Sequence, residues 1–226
     1  ETLIVSLGSK LKIAKLKLIR DWFMDNELAD FGHPFENFFL SEQLPDDFVE
    51  SKDVQNRVIK YFSAFDPSII GFEVEPIESD DDKKSSRVRI DAVHKMIDSE
   101  ETATIPLKLE SAGTLKMFAL YPLLQEVLET GGVLFVDELN ARLHPLLVRT
   151  FVITFLNSEI NTKNAQLIFT SHDSWQLNGN MLRRDEIWFT EKTLDGVSTL
   201  YSLADFVDED GVKIRKDENY EKNYLL

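Results

Sequence analysis

Apolar positions recur near every fourth residue from Leu3 through Leu7, Leu11, Ala14, Leu18 and Trp22, with Lys10, Lys12, Lys15, Lys17 and Arg20 between them. That spacing predicts one amphipathic helix, whose basic side reads as a solvated face rather than a phosphate contact. From Asp30 to Pro45 the pattern breaks into Phe31, Phe35, Phe38 and Phe39 among Gly32, Pro34 and Pro45. A loop or short helices with core aromatics is expected there, then a second helix from about Phe48 to Phe65. The period next falls to two. Ile69 to Ile77 and Arg87 to Met96 read as paired strands, the second alternating Val88, Ile90, Ala92, His94 and Met96 against Arg87, Arg89, Asp91, Val93 and Lys95. Ser79 to Ser85 between them reads as a turn or flexible insertion, and His94, with no metal-ligating constellation around it, as a structural histidine. After a polar loop from Asp98 to Thr102, the stretch from Ile105 to Phe206 reads loop, helix, strand, helix, strand, helix, strand, strand. This alternation predicts an α/β core with parallel strands.

Composition narrows the function. The 226 residues suffice for one large domain or a domain with a substantial insertion, and a 43% hydrophobic share with 16 Phe excludes a solvated tail. No apolar run reaches the roughly 20 residues of a membrane span, so no membrane partner is expected. Asp and Glu number 40 against 25 Lys and Arg, a net charge of -15, so nucleic acid is possible only as a local contact. The absence of Cys excludes disulfides, thiolate metal sites and a cysteine nucleophile, and fits a cytoplasmic location.

Three segments carry candidate chemistry. Gly131-Gly132-Val133-Leu134-Phe135-Val136-Asp137-Glu138 reads as a central buried strand ending in two carboxylates. Residues at such a strand end border the crevice where open α/β sheets bind ligands, and alternation would send Asp137 and Glu138 to opposite sides. One could hold magnesium and the other orient an attacking water, or both could be ordinary caps. Glu110-Ser111-Ala112-Gly113-Thr114 opens an apolar helix, where Ser111 is either a simple N-cap or part of an anion cradle. Gln166 to Phe169 is a second apolar strand, ending in Thr170-Ser171-His172-Asp173 beside Glu138, where an imidazole could donate to a phosphate oxygen. Leu139 to Pro145 leads into a helix from Leu146 to Leu156, with His144 before Pro145 architectural.

The order ESAGT, VLFVDE with LNARLHP, then IFTSHD resembles the C-terminal half of ABC-type ATPases, and within them the bacterial AAA-15/AAA-21 branch. The resemblance runs over roughly residues 107–225, through LRRDEIWF, LYSLADF and the Tyr224-Leu225 pair. It implies that Asp137 supports Mg2+, that Glu138 acts on the hydrolytic water and that His172 senses the γ-phosphate of ATP. It implies also that Ser111, Gly113 and Thr114 contact nucleotide across a homodimer or higher oligomer, and that Asn140 lies in the loop between the two sites, where relatives more often carry Asp.

The resulting expectation is an α/β fold with an ABC-ATPase-like, mostly parallel sheet, an N-terminal helical insertion or lid over residues 1–66 and a small antiparallel strand pair. Residues 67–226 would form the C-terminal lobe. No G-x-x-x-x-G-K-[ST] segment occurs, and Leu7-Gly8-Ser9-Lys10-Leu11 does not replace it. The phosphate-loop lobe is therefore expected upstream, and residues 1–226 alone are expected to be nearly inactive. The resemblance implies an ATPase that switches by nucleotide-driven dimerisation and regulates a separate nuclease or toxin in anti-phage defence. The alternatives are a DNA-repair ATPase like the Rad50, SMC and RecF groups, and a non-catalytic scaffold; sustained heptads for Rad50 or SMC arms are missing.

Overall fold

A computed structural model of the chain describes residues 3–33, 44–77, 87–174 and 181–206. The chain divides into two compact units, residues 1–171 and 172–226.

In the first unit the N-terminal pattern yields two helices, α1 (Ile4–Lys10) and α2 (Ala14–Met24), where one was expected. The break is a local hydrogen-bond closure. Lys12 takes a left-handed φ of 60°, its N–H donates to the Ser9 carbonyl at 3.0 Å, and the Ile13 N–H donates to the Gly8 carbonyl at 2.9 Å. This closes the helix with a lysine where glycine is usual. After α2 comes β1 (Glu27–Asp30), a strand the sequence pattern did not announce. Of the aromatics in the next stretch, Phe31 is buried, while Phe35, Phe38 and Phe39 lie outside the described residues.

Helix α3 (Lys52–Phe62) begins where Ser51 accepts the Val54 N–H at 3.3 Å. Strands β2 (Ile69–Ile77) and β3 (Arg87–Lys95) pair antiparallel as expected, with a bulge at Gly71. The segment Ser79 to Ser85 lies outside the described residues. The pair gains a third strand, β4 (Thr102–Pro106), in a place read as loop. Phe48, Phe62 of α3, Phe72 of β2 and Phe118 interlock with ring centroids 5.2 to 6.5 Å apart, mostly edge-on. This aromatic core fastens the antiparallel sheet to the next helix.

That helix, α4 (Ala112–Thr130), ends at Gly131, whose φ of 78° and whose ideal Cβ position only 2.6 Å from the Lys163 carbonyl oxygen require glycine. Strand β5 (Val133–Asp137), helix α5 (Pro145–Leu156) and strand β6 (Gln166–Phe169) follow. The sheet has the order β1-β5-β6 and is parallel throughout, with β5 in the middle. The expected α/β class with a parallel core is therefore observed. Asn26 sets the first register, accepting the Val133 N–H at 2.7 Å. Leu134, Val136, Leu139, Leu120, Val148 and Phe151 fill the core, each 2% exposed or less.

The second unit holds a 3-10 turn (Arg184–Glu186), the antiparallel hairpin β7 (Trp188–Lys192) and β8 (Ser198–Ser202), and a small core of Ile187, Leu203, Leu182 and Phe189. The helix expected before β7 falls partly on residues 175–180, and Tyr224-Leu225 at the end of the chain, all outside the described residues.

Candidate functional site

Parallel pairing of β5 with β6 brings their polar ends together. Val136 stands opposite Phe169, and the Thr170 N–H donates to the Val136 carbonyl at 3.0 Å, so Thr170 emerges beside Asp137. Its hydroxyl joins the two acidic residues: Oγ1 donates to Asp137 Oδ1 at 2.5 Å and accepts the Glu138 N–H at 2.9 Å. The Leu139 N–H then reaches the Thr170 carbonyl at 3.1 Å.

Glu138 leaves strand geometry with a φ of 54° and begins a turn. The Ala141 N–H donates to the Glu138 carbonyl at 2.9 Å and the Leu143 N–H to the Asn140 carbonyl at 3.1 Å, and Arg142 is also left-handed at 62°. Strand alternation therefore stops at Asp137, which corrects the expectation that the two carboxylates point to opposite sides. Both side chains converge on Gly32, where a Cβ would lie 3.1 Å from Asp137 Oδ2 and 3.3 Å from Glu138 Cγ. Asp30 joins them from β1: it pairs in register with Asp137, and its Oδ1 would lie 3.3 Å from the same Cβ. Neither Asp30 nor Gly32 was singled out in the sequence.

Among the described residues no group of three or more acidic, His or Cys side chains forms a metal cage. Magnesium does not ask for one, since it keeps waters and takes one or two carboxylates together with phosphate oxygens. Asp137, with the Thr170 hydroxyl fixing one of its oxygens, is a hard-oxygen donor of that kind, and the residues fit the ion.

Ser111 caps α4, accepting the Thr114 N–H at 3.1 Å and sharing a hydrogen bond of 2.8 Å with the Thr114 hydroxyl. Ser111 is exposed and Gly113 half-buried. A Cβ on Gly113 would come within 3.3 Å of the Arg142 carbonyl oxygen, so the opening of α4 lies directly on the turn that follows Glu138. The preceding residue, Glu110, is held by His94: their Oε1 and Nε2 are 2.7 Å apart, with side chains 7% and 15% exposed. The Ser68 hydroxyl donates to Asp66 at 2.5 Å and so accepts from His94 Nδ1 at 3.0 Å. His94 is the structural residue expected, tying the antiparallel sheet to the start of α4. His144 is architectural as well, capping α5 by accepting the Leu146 N–H at 3.2 Å.

The side chain least visible in the sequence is Lys116. It is 5% exposed, and its ammonium donates to the carbonyls of Glu138 at 2.7 Å, Leu139 at 2.9 Å and Ala141 at 3.0 Å, with the Phe31 ring centroid 4.0 Å away. Burial lowers its pKa to about 7; the Glu138 carboxylate opposes this and the Arg142 guanidinium adds to it.

His172 is exposed and is the first residue of the second unit. Asn140 is half-buried within the turn after Glu138.

A family model described as "AAA domain, putative AbiEii toxin, Type IV TA system" matches residues 11–174, a span holding every motif from Ser111 to His172. The chain belongs to the AAA_21 family. This is a P-loop ATPase-type family linked to toxin–antitoxin systems. The AAA_21 match covers well over half the chain and takes in β1 and the antiparallel sheet as well as the parallel core. No curated protein matches the chain. Among the described residues no helix is long and apolar enough to cross a membrane.

Proposed function

We propose that this AAA_21 chain carries the signature and hydrolytic half of an ABC-type, Mg2+-dependent ATPase that closes as a homodimer around ATP and opens on hydrolysis. Glu138 orients the attacking water and takes its proton as the oxygen approaches the γ-phosphorus in line, while the bond from that phosphorus to the β,γ-bridging oxygen breaks and ADP leaves with the electron pair. Asp137 would hold Mg2+, which would offset charge on the phosphate oxygens. Thr170 keeps the Asp137 carboxylate and the Glu138 backbone in fixed relation. Ser111, Gly113 and Thr114 present hydroxyls and a helix N-terminus to nucleotide bound by the partner subunit. His172 donates to a γ-phosphate oxygen, and Asn140 lies on the link between the two sites. The observation that carries this reading is the Thr170 hydroxyl bridging Asp137 and the Glu138 amide at the end of a buried parallel strand.

The test is Glu138→Gln in the full-length protein. Phosphate release should fall about 100-fold or more while ATP binding persists and the ATP-bound dimer lives longer; unchanged turnover removes Glu138 from its role. His172→Ala should slow hydrolysis with its melting curve intact, whereas equal loss of both makes His172 structural.

The switch, in this reading, regulates a separate nuclease or toxin in bacterial anti-phage defence, as the family's link to toxin–antitoxin systems suggests. A partner whose activity ignores both ATP and Glu138→Gln would refute that regulatory part.

A further inference from the structure

A buried lysine inside an apolar helix needs an account. Lys116 follows Ser111 by five residues, so its Cα stands little more than one turn into α4 while its ammonium reaches the turn after β5. An ammonium carries three donors and no acceptor. All three are used on carbonyl oxygens of one short turn, those of Glu138, Leu139 and Ala141, at 2.7 to 3.0 Å. Carbonyls facing one point repel each other unless a cation stands between them, and a turn that begins and ends left-handed, at Glu138 and Arg142, needs such support. Phe31 closes the ammonium off with its ring face, and Gly113 seats the start of the same helix on the Arg142 carbonyl.

We infer that Lys116 is a positioning residue for hydrolysis: it moulds the backbone of the Glu138 turn, and so aims the Glu138 carboxylate, while tying that turn to the helix that presents Ser111 and Thr114. This rests on the ATPase reading above and deepens it. Lys116 touches no reacting atom. Its effect passes through the Glu138 carbonyl, and it joins, within one subunit, the element proposed to serve the subunit's own water to the element proposed to serve its partner's nucleotide.

The experiment compares wild type, Glu138→Gln and Lys116→Met in the full-length protein, with MgATP as the probe. Turnover is normalised to sites that bind a fluorescent ATP analogue, and melting is followed in parallel. Methionine has similar length and no donor. Lys116→Met should lower kcat tenfold or more and leave the KM for ATP within twofold, with a cooperative melt retained. A kcat within twofold of wild type overturns the inference, as does a fall in activity that only tracks loss of binding-competent sites. Should the methionine variant not fold, Lys116→Gln, which keeps an amide donor but cannot span three carbonyls, is read by the same criteria. The two ideas fail separately. Wild-type turnover lost in Glu138→Gln but kept in Lys116→Met sinks the lysine role alone, while a wild type that neither binds nor hydrolyses MgATP sinks the ATPase reading and this inference with it.

Discussion

Helices α2 and α4 both set lysines into an apolar pattern, and the fold treats them in opposite ways. No residue of α2 is buried: Leu18 is 73% and Trp22 47% exposed, with the lysines equally solvated. In α4 eight residues from Lys116 to Val127 are buried, the lysine among them. The difference lies in the surroundings. Helix α4 packs against β5 and meets the aromatic core of Phe48, Phe62 and Phe72, whereas α1 and α2 meet each other where Leu16 lies on Gly8, Trp22 touches Phe135 edge-on, and most of their other large apolar residues stay exposed. Periodicity reports which side chains share a face and says nothing of what lies against it.

The contrast can be broken or sharpened by measurement on the full-length protein. Phe118→Ala removes the ring that joins α4 to the antiparallel sheet and should cost about 3–5 kcal/mol in chemical denaturation; a cost below about 1 kcal/mol would mean the aromatic core is not what buries α4. Lys116→Met should change the pH dependence of stability. The native group titrates near 7 and the unfolded one near 10.5, so between those values the unfolded chain holds the extra proton. Wild-type stability relative to the variant should therefore rise with pH across that window, by at most about 1.4 kcal/mol per unit, and be flat below it. A flat difference from pH 7 to 10 would mean the ammonium is not desolvated. Ser111→Ala should cost about 1 kcal/mol through the lost cap, detectable as a shifted denaturation midpoint at constant slope. Leu18→Ala should stay within about 0.5 kcal/mol, and a loss as large as that of Phe118→Ala would erase the distinction between the helices.

Much of the candidate site was legible because its signals are local. Four apolar residues before Asp137, a Gly-Gly stop behind α4 and a His-Pro opening of α5 each act within a few residues, and β5, β6, α4 and α5 stand close to their expected places. What escaped depends on partners far along the chain. Glu27 to Asp30 carries little strand character of its own and becomes β1 through β5 and the Asn26–Val133 hydrogen bond. Strand β4, short, exposed and ending in proline, reads as loop until β3 pairs with it. The convergence of Asp137 and Glu138 on Gly32 depends on one positive φ, which a glutamate does not advertise. Lys116 looked like any lysine on a helix because its three acceptors lie 22 to 25 residues away.

The Thr170 hydroxyl has a single hydrogen, and both of its neighbours dictate where that hydrogen goes. The Glu138 amide can only give and the Asp137 carboxylate here only receives, so polarity runs one way, from amide to hydroxyl to acid. Serine preserves this direction and valine, though nearly the same shape, strands an amide and a carboxylate together. An asparagine at 137 would fit in one flip alone, with its oxygen toward Thr170 and its NH2 group presented where the wild-type chain offers a carboxylate oxygen, so even the mildest change at position 137 turns an acceptor at the strand end into a donor.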